Sequence, residues 1–127
     1  MSSSETKREA VLVVEDEPLI RMGAISPIQD AGFIVYEAAS ADEAISLMER
    51  HKEIRLIFTD IHMPGSMDGL KLAHYVRGRW PPVKIIVTSG QMKARGKDLP
   101  TGAVFIGKPY LAEDIALEIS KMLADAA

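Results

Sequence analysis

The run Ala10-Val-Leu-Val-Val-Glu-Asp-Glu17 places three acidic residues directly after five apolar ones. A valine-rich apolar run with charged residues on both sides is typical of a strand that is buried on both faces. Such strands occur in parallel sheets that carry helices on both sides. The run therefore predicts a buried strand over Ala10–Val14, with carboxylates at its carboxyl end.

Four further stretches have strand character and alternate with helical patterns. The predicted strands are Phe33–Glu37, Leu56–Asp60, Lys84–Ser89 and Val104–Lys108. The predicted helices cover Leu19–Ala31, the stretch after the Ser40-Ala-Asp-Glu43 capping box, the stretch from the Asp68 cap to about Trp80, and Ala112–Leu123. Alternation of strands with helices predicts βαβ units, and hence a parallel sheet with helices on both faces.

The stretch Gly90–Gly102 should hold one more helix, between the fourth and fifth strands, but its sequence favours a helix poorly. It contains Gly96 and Pro100, and its only large apolar residues are Met92 and Leu99. Glycine lowers the stability of a helix, and proline blocks its extension. We therefore predict a short or irregular helix here.

Length and composition exclude several classes of function. The chain has 127 residues, a net charge of −3 and no cysteine, which predicts one domain without disulfides and argues against nucleic acid as a partner. Its longest apolar run, Ala10–Val14, is far shorter than the roughly 20 residues that cross a membrane, so we expect no membrane association. We expect a cytoplasmic protein with a flexible polar tail over residues 1–9 and one domain over residues 10–124.

Polar side chains suited to a metal ion or a phosphoryl group lie at the ends of the predicted strands. They are Glu15 and Asp16 after the first strand, Asp60 after the third, Thr88-Ser89 after the fourth and Lys108 after the fifth. Ligands of open parallel sheets bind at the carboxyl ends of the strands, so we expect these side chains to converge. Three carboxylates against one ammonium leave an excess of negative charge that suits one divalent cation. Oxygen ligands without cysteine favour Mg²⁺.

Five short motifs resemble those of the response-regulator receiver domain, the phosphoacceptor part of two-component signalling. They are Val-Val-Glu-Asp-Glu (13–17), Thr-Asp-Ile-His-Met-Pro (59–64), Met-Asp-Gly-Leu (67–70), Val-Thr-Ser-Gly (87–90) and Gly-Lys-Pro (107–109). Each motif is weak alone, but all five occur in order at strand ends or in the loops that follow. The resemblance covers about residues 10–124 and implies a stand-alone receiver with a flavodoxin-like, doubly wound five-stranded sheet in the order 2-1-3-4-5.

The resemblance also implies an acceptor and a Mg²⁺ site. Asp60 would take a phosphoryl group from the phosphohistidine of a histidine kinase or a phosphotransfer protein. Asp16 would bind Mg²⁺ directly, with Glu15 near the metal, often through water. Asp60 and the backbone carbonyl of His62 would complete the protein ligands.

The remaining matched residues are implied to bind the phosphoryl group and to transmit its presence. Thr88 would hydrogen-bond the phosphoryl oxygens, and Lys108 would pair with them, with Pro109 after a cis bond. Thr88 and Phe105, which occupies the position of the family's switch aromatic, would form the switch that alters a protein-binding surface. The downstream protein target is not identifiable from the sequence, and we expect a monomer or a weak dimer.

Two other functions remain open. The first is a Mg²⁺-dependent phosphohydrolase with Asp60 as nucleophile. Such enzymes usually carry a second aspartate where this chain has His62, and a cap domain for which the chain has no room. The second is a receiver-like binding module that is never phosphorylated, which the intact set of site residues argues against. A receiver modifies its own side chain, so we expect no enzyme in the usual sense.

The loop between Pro64 and Asp68 is one residue longer than the common receiver pattern, which bears on the fit to a kinase.

Overall fold

The computed structural model describes residues 9–63, 67–90 and 98–125. These contain five strands: β1 (Ala10–Val14), β2 (Ile34–Ala38), β3 (Ile54–Asp60), β4 (Lys84–Ser89) and β5 (Val104–Gly107). Four helices alternate with them: α1 (Pro18–Asp30), α2 (Ala41–Arg50), α3 (Gly69–Arg79) and α4 (Ala112–Asp125). No helix in the described ranges combines the length and the apolar character needed to cross a membrane.

The strands form a single parallel sheet in the order β2-β1-β3-β4-β5. This confirms the predicted parallel sheet and its strand order. The register aligns Asp60 of β3 with Thr88 of β4, and Ser89 of β4 with Gly107 of β5. The ends of three neighbouring strands therefore meet at one edge of the sheet, and the site residues lie on that edge.

Two apolar layers hold the helices against the sheet, one on each face. Successive residues of β1 alternate between the layers, as the pleat of a strand requires. Leu12 packs in the layer that includes Leu72 and Val76 of α3. Val11 and Val13 pack in the layer with residues of α1 and α4, which include Ile28, Ile115 and Ile119. This arrangement confirms helices on both faces.

Side-chain caps begin two of the helices as predicted. The Ser40 hydroxyl accepts a hydrogen bond from the Glu43 amide at 3.2 Å, and the Glu43 carboxylate accepts one from the Ala39 amide at 2.6 Å. Asp68 caps α3 by accepting a hydrogen bond from the Lys71 amide at 2.9 Å. These bonds satisfy amides that have no partner inside the helix. The cap at Asp68 also fixes where α3 begins, beside the acceptor strand.

Some boundaries differ from the predicted ones by one or two residues. β3 begins at Ile54 rather than Leu56, because the exposed Arg55 interrupts the apolar pattern without interrupting the strand. β5 ends at Gly107, so Lys108 lies just beyond the strand. The predicted short or irregular helix after β4 falls mainly on residues 91–97, which lie outside the described residues.

Candidate functional site

Glu15, Asp60 and Lys108 come together at the carboxyl edge of the sheet. The Lys108 ammonium donates a hydrogen bond to Oδ2 of Asp60 at 2.6 Å and lies 3.6 Å from Oε1 of Glu15. Both acidic residues are buried, with 5% of Asp60 and 6% of Glu15 exposed. Two buried carboxylates therefore share one cation.

Asp60 has a donor for each of its two carboxylate oxygens. Lys108 occupies Oδ2, and the His62 amide donates to Oδ1 at 2.9 Å. The backbone carbonyl of Asp60 accepts a hydrogen bond from the Thr59 hydroxyl at 3.0 Å. The His62 side chain is exposed. Strand and loop contacts thus fix the position of the Asp60 carboxylate.

Glu15 is the group in the site whose pKa is most clearly shifted. Burial raises the pKa of Glu15 to about 7, and the neighbouring Asp60 carboxylate also raises it. The Glu17 amide, which donates to Oε2 at 3.1 Å, and the Lys108 charge act in the opposite direction but do not outweigh these effects. A raised pKa means that the site disfavours a second negative charge. An additional cation would relieve that cost.

Lys108 remains protonated in this site. Burial alone would lower its pKa, but the hydrogen bond to Asp60 and the charges of Asp60 and Glu15 raise the pKa above its ordinary value. The peptide bond between Lys108 and Pro109 is cis, as the family resemblance implied. Lys108 is thus a fixed positive charge beside the Asp60 carboxylate.

Thr88 brings a buried hydroxyl to the same edge. Its backbone pairs in register with Asp60, and its Oγ1 has no hydrogen-bond partner among the described residues. A buried polar atom without a partner is costly, so such an atom calls for an explanation. A ligand oxygen bound at this edge would provide one. Phe105 of β5 is half-buried and packs against the apolar layer that contains Leu12.

The predicted metal ligands are gathered only in part. Asp16 is exposed, while Glu15 and Asp60 are buried. No three His, Asp or Glu side chains in the described ranges lie close enough together to hold a metal ion by themselves. Two carboxylates with spare negative charge nevertheless suit Mg²⁺, which uses few protein ligands and keeps several waters. The donor set therefore fits the ion implied by the family.

Two residues that support the site were not predicted. A Cβ atom on Gly69 would lie 1.7 Å from the Asp60 carbonyl oxygen, so only glycine permits α3 to begin this close to β3. The sequence feature that could have indicated this close approach is the glycine directly after the capping Asp68. Arg21 donates to the Glu15 carbonyl at 2.6 Å and pairs with Glu37 at 2.9 Å. No local pattern marks this contact, because Glu37 lies on the next strand.

An open groove of about 630 Å³ adjoins Lys108. It is lined by Ile20, Gly23 and Ala24 of α1, and by Tyr110 and Ala112 after β5. Its walls are largely apolar, and the small Gly23, Ala24 and Ala112 leave space between α1 and α4. Leu19 and Met22 of α1 are also strongly exposed, at 78% and 63%. The ammonium that pairs with Asp60 therefore borders an apolar surface.

Comparison with known proteins shows relatives along almost the whole chain. Residues 11–120 match the family model described as response regulator receiver domain. The response regulator receiver protein CpdR of Brucella abortus (strain 2308) is 32% identical over 121 residues, which cover 91% of this chain and 98% of CpdR. The sensor kinase CckA of the same organism is 38% identical over 117 residues. This match covers 89% of the chain but only 12% of the kinase.

Solved structures show the same fold. A response regulator receiver protein of Sinorhizobium medicae superposes with a TM-score of 0.87 at 23% identity, covering 95% of this chain and 98% of that one. The receiver domain of the hybrid histidine kinase CckA superposes with a TM-score of 0.75 at 31% identity, covering 90% and 98%. The first likeness concerns the fold alone, and the second extends to sequence. With its family model, its full-length relative and its fold in agreement, the chain belongs to the response regulator receiver domain family of two-component signalling.

Proposed function

We propose that Asp60 accepts a phosphoryl group from the phosphohistidine of a histidine kinase or a phosphotransfer protein. The observation that carries the proposal is the 2.6 Å contact between the Lys108 ammonium and the Asp60 carboxylate. It places a fixed cation beside a carboxylate at the edge of the sheet where ligands of such folds bind. The similarity to CpdR over nearly its full length supports a receiver over residues 10–124. The tail predicted over residues 1–9 lies, apart from Glu9, outside the described residues.

In the proposed transfer, a carboxylate oxygen of Asp60 forms a bond to phosphorus while the N–P bond of the phosphohistidine breaks. The imidazole of the donor leaves with the electron pair of that bond. Lys108 shifts its hydrogen bond to a phosphoryl oxygen, and the unpartnered Thr88 hydroxyl donates to another. Phosphoryl transfer depends mainly on such positioning and on neutralisation of charge.

In this proposal Mg²⁺ would be held by the side chains of Glu15, Asp16 and Asp60 and by the backbone carbonyl of His62. When bound, the ion supplies positive charge to the phosphoryl oxygens. The shared Lys108 and the raised pKa of Glu15 support this assignment, because both indicate that the site lacks positive charge. The exposed Asp16 adjoins Glu15 in the chain and is accessible to the ion.

We further propose that phosphorylation is transmitted through Thr88 and Phe105 to a surface that binds a downstream protein. Thr88 lies on β4 and Phe105 on the neighbouring β5. Phe105 is paired in register with Val87, the neighbour of Thr88, so a shift of Thr88 toward the phosphoryl group would reach Phe105 through the β4 backbone. The apolar groove next to Lys108 supports the approach of a protein donor, because it presents an uncovered surface beside Asp60.

The test is phosphorylation by acetyl phosphate with Mg²⁺, followed by intact mass spectrometry. We expect the wild-type chain to gain one phosphoryl group, and Asp60→Asn to gain none. Asp42→Asn, which alters an exposed aspartate in the first turn of α2, serves as the control and should be labelled like the wild type. Labelling of Asp60→Asn at the wild-type level would reject the acceptor.

The same assay separates the two alternative functions. Turnover of acetyl phosphate without a stable label on the wild-type chain would favour the phosphohydrolase. Neither label nor turnover would favour a binding module that is never phosphorylated. A label on Asp60 that decays slowly after removal of acetyl phosphate is the result expected for a receiver.

A further inference from the structure

A second groove lies at the amino ends of β3 and β4, at the opposite end of the sheet from Asp60. Its volume is about 280 Å³. The groove is lined by apolar and basic side chains. They include Met48, Ile54 and Trp80 among the apolar ones and His51, Lys52 and Arg55 among the basic ones. We call it the Trp80 groove. Its volume lies at the lower edge of the roughly 300–1,000 Å³ of small-molecule sites, which is enough for one protein side chain.

Neighbouring side chains hold the Trp80 ring in place. Tyr75 packs edge-to-face on it, with 6.1 Å between the ring centroids. The Arg79 guanidinium lies 5.2 Å from the Trp80 centroid and 3.6 Å from the Glu49 carboxylate. Trp80 itself is half-buried. The groove therefore contains an aromatic surface whose orientation is set before any partner arrives, which lowers the entropic cost of binding.

The charge of the Trp80 groove is opposite to that of the whole chain. The chain has a net charge of −3, yet among the described residues the groove is lined by basic side chains and by no carboxylate. Glu49 pairs with Arg79, and Glu53 pairs with the Tyr36 hydroxyl and lies 3.7 Å from Nδ1 of His51, so we assign the positive charge of the groove to Lys52 and Arg55. Within the described ranges neither Lys52 nor Arg55 forms an ion pair, and both are exposed. Their charges are available to a partner.

We propose that the Trp80 groove binds an acidic peptide segment of a partner protein, with one aliphatic side chain packed against Trp80. The basic rim complements acidic residues, and the apolar floor, formed mainly by the half-buried Trp80 ring because Met48 and Ile54 are only 3% exposed, complements the aliphatic one. A nucleic-acid backbone would use the charges but not the floor, and it usually requires a longer basic surface.

The six residue steps of β3 place the groove about 20 Å from Asp60. Its occupation therefore leaves the acceptor accessible.

The sole tryptophan of the chain reports directly on this groove. The probe is a synthetic peptide with one leucine flanked by aspartate and glutamate, titrated while Trp80 emission is recorded. We expect a saturable change that weakens with added salt. The double variant Lys52→Glu/Arg55→Glu should bind about tenfold more weakly or worse, because it reverses two complementary charges. Lys121→Glu, which changes an exposed lysine of α4, should bind like the wild type.

Three results would overturn the proposal: no saturable change in Trp80 emission together with no heat in calorimetry, equal affinity of the double variant, or equal or tighter binding of a short single-stranded DNA. The last would assign the groove to phosphate groups instead. Circular dichroism checks that the double variant folds, which is expected because both residues are exposed. Asp60→Asn should bind the peptide unchanged, so failure of the phosphorylation proposal would leave this one standing.

Discussion

The Lys108 ammonium lies 2.6 Å from the Asp60 carboxylate and 3.6 Å from that of Glu15. The contact with Asp60 is the stronger one because it is a charge-assisted hydrogen bond of short length. If Asp60 becomes phosphorylated, a phosphoryl oxygen can replace the carboxylate oxygen as acceptor, and Lys108 keeps an anionic partner. The exchange of partners, rather than formation of a new ion pair, would then accompany phosphorylation.

Lys108→Ala should lower the stability of the protein. It should also allow phosphorylation of Asp60 without the structural change that phosphorylation causes in the wild type. Loss of Lys108 leaves Glu15 and Asp60 buried side by side without the shared cation, so we expect the free energy of unfolding to fall by about 1.5–3 kcal/mol at neutral pH. Labelling by acetyl phosphate should persist at a lower rate, while the change in hydrogen exchange on labelling should be lost. Urea denaturation with Lys121→Ala as control checks the first part. A fully retained exchange response would argue against Lys108 as the phosphoryl partner.

Glu15→Gln should stabilise the metal-free protein, but only at higher pH. The pKa of Glu15 is about 7 in the folded protein and about 4.5 ordinarily, so the folded state holds its proton more tightly. Ionisation of Glu15 therefore costs stability as the pH rises through this window, and the cost is complete above about 7. Glutamine removes the cost, and we expect a gain of up to about 3 kcal/mol above the window, since one pKa unit corresponds to about 1.4 kcal/mol.

The gain should vanish below a pH of about 4.5, where Glu15 is protonated in the unfolded state as well as in the folded state. Thermal unfolding in a chelator at several pH values measures it, with the exposed Glu113→Gln as control. Added Mg²⁺ should stabilise the wild type more than Glu15→Gln. A gain that does not depend on pH would contradict the assignment.

Thr88→Val should leave the unmodified protein as stable as the wild type or more stable by about 1 kcal/mol, because it removes a buried hydroxyl that has no hydrogen-bond partner in the described part of the chain. Thr59→Val provides the contrast, since the Thr59 hydroxyl donates to the Asp60 carbonyl. That variant should lose about 1 kcal/mol. Denaturation curves compare the two. Thr88→Val should also lose the structural response to beryllofluoride with Mg²⁺, and a normal response would show that the hydroxyl is not required.

Gly69→Ala should destabilise the protein by more than about 3 kcal/mol, because the new methyl group would overlap the Asp60 carbonyl and force α3 away from β3. Gly78, in the same helix, is exposed and has no atom near its would-be Cβ. Gly78→Ala should therefore stabilise the helix by about 1 kcal/mol. Melting temperatures of the two variants should move in opposite directions, and a neutral Gly69→Ala would show that α3 can move without cost.

The sequence predicted features that depend on neighbouring residues or on strand ends. The Ser40–Glu43 capping box formed as predicted because both partners lie within one helical turn. Asp60 and Lys108 could be expected to meet because parallel strands end at a common edge, and they do. Asp16 has the same position in the pattern but is exposed. The pattern places a residue at the edge without fixing the direction of its side chain.

Features that depend on the packing of distant segments could not be predicted. The close approach of Gly69 to Asp60 depends on how α3 crosses β3, which no local pattern describes. Trp80 continues the helical spacing of Leu72 and Val76, and it packs against the same apolar layer. Those two are fully buried, whereas Trp80 lies at the helix end and is only half-buried. The helical spacing correctly predicts that Trp80 faces the apolar layer. Because Trp80 lies at the end of the sheet, part of its side chain stays exposed.

The hydrogen bond from the Gly69 amide to the Ile61 carbonyl, 2.8 Å long, joins the two ends of the loop between β3 and α3. The described ends of this loop, at Ile61 and Gly69, are therefore held next to each other. Since the closure entropy of a loop grows only slowly with its length, an added residue inside it costs little. A residue added within this loop would then leave its joined ends, and with them Asp60, in place. Receivers that share one phosphorylation chemistry could then diverge in this loop and so differ in the kinases that recognise them.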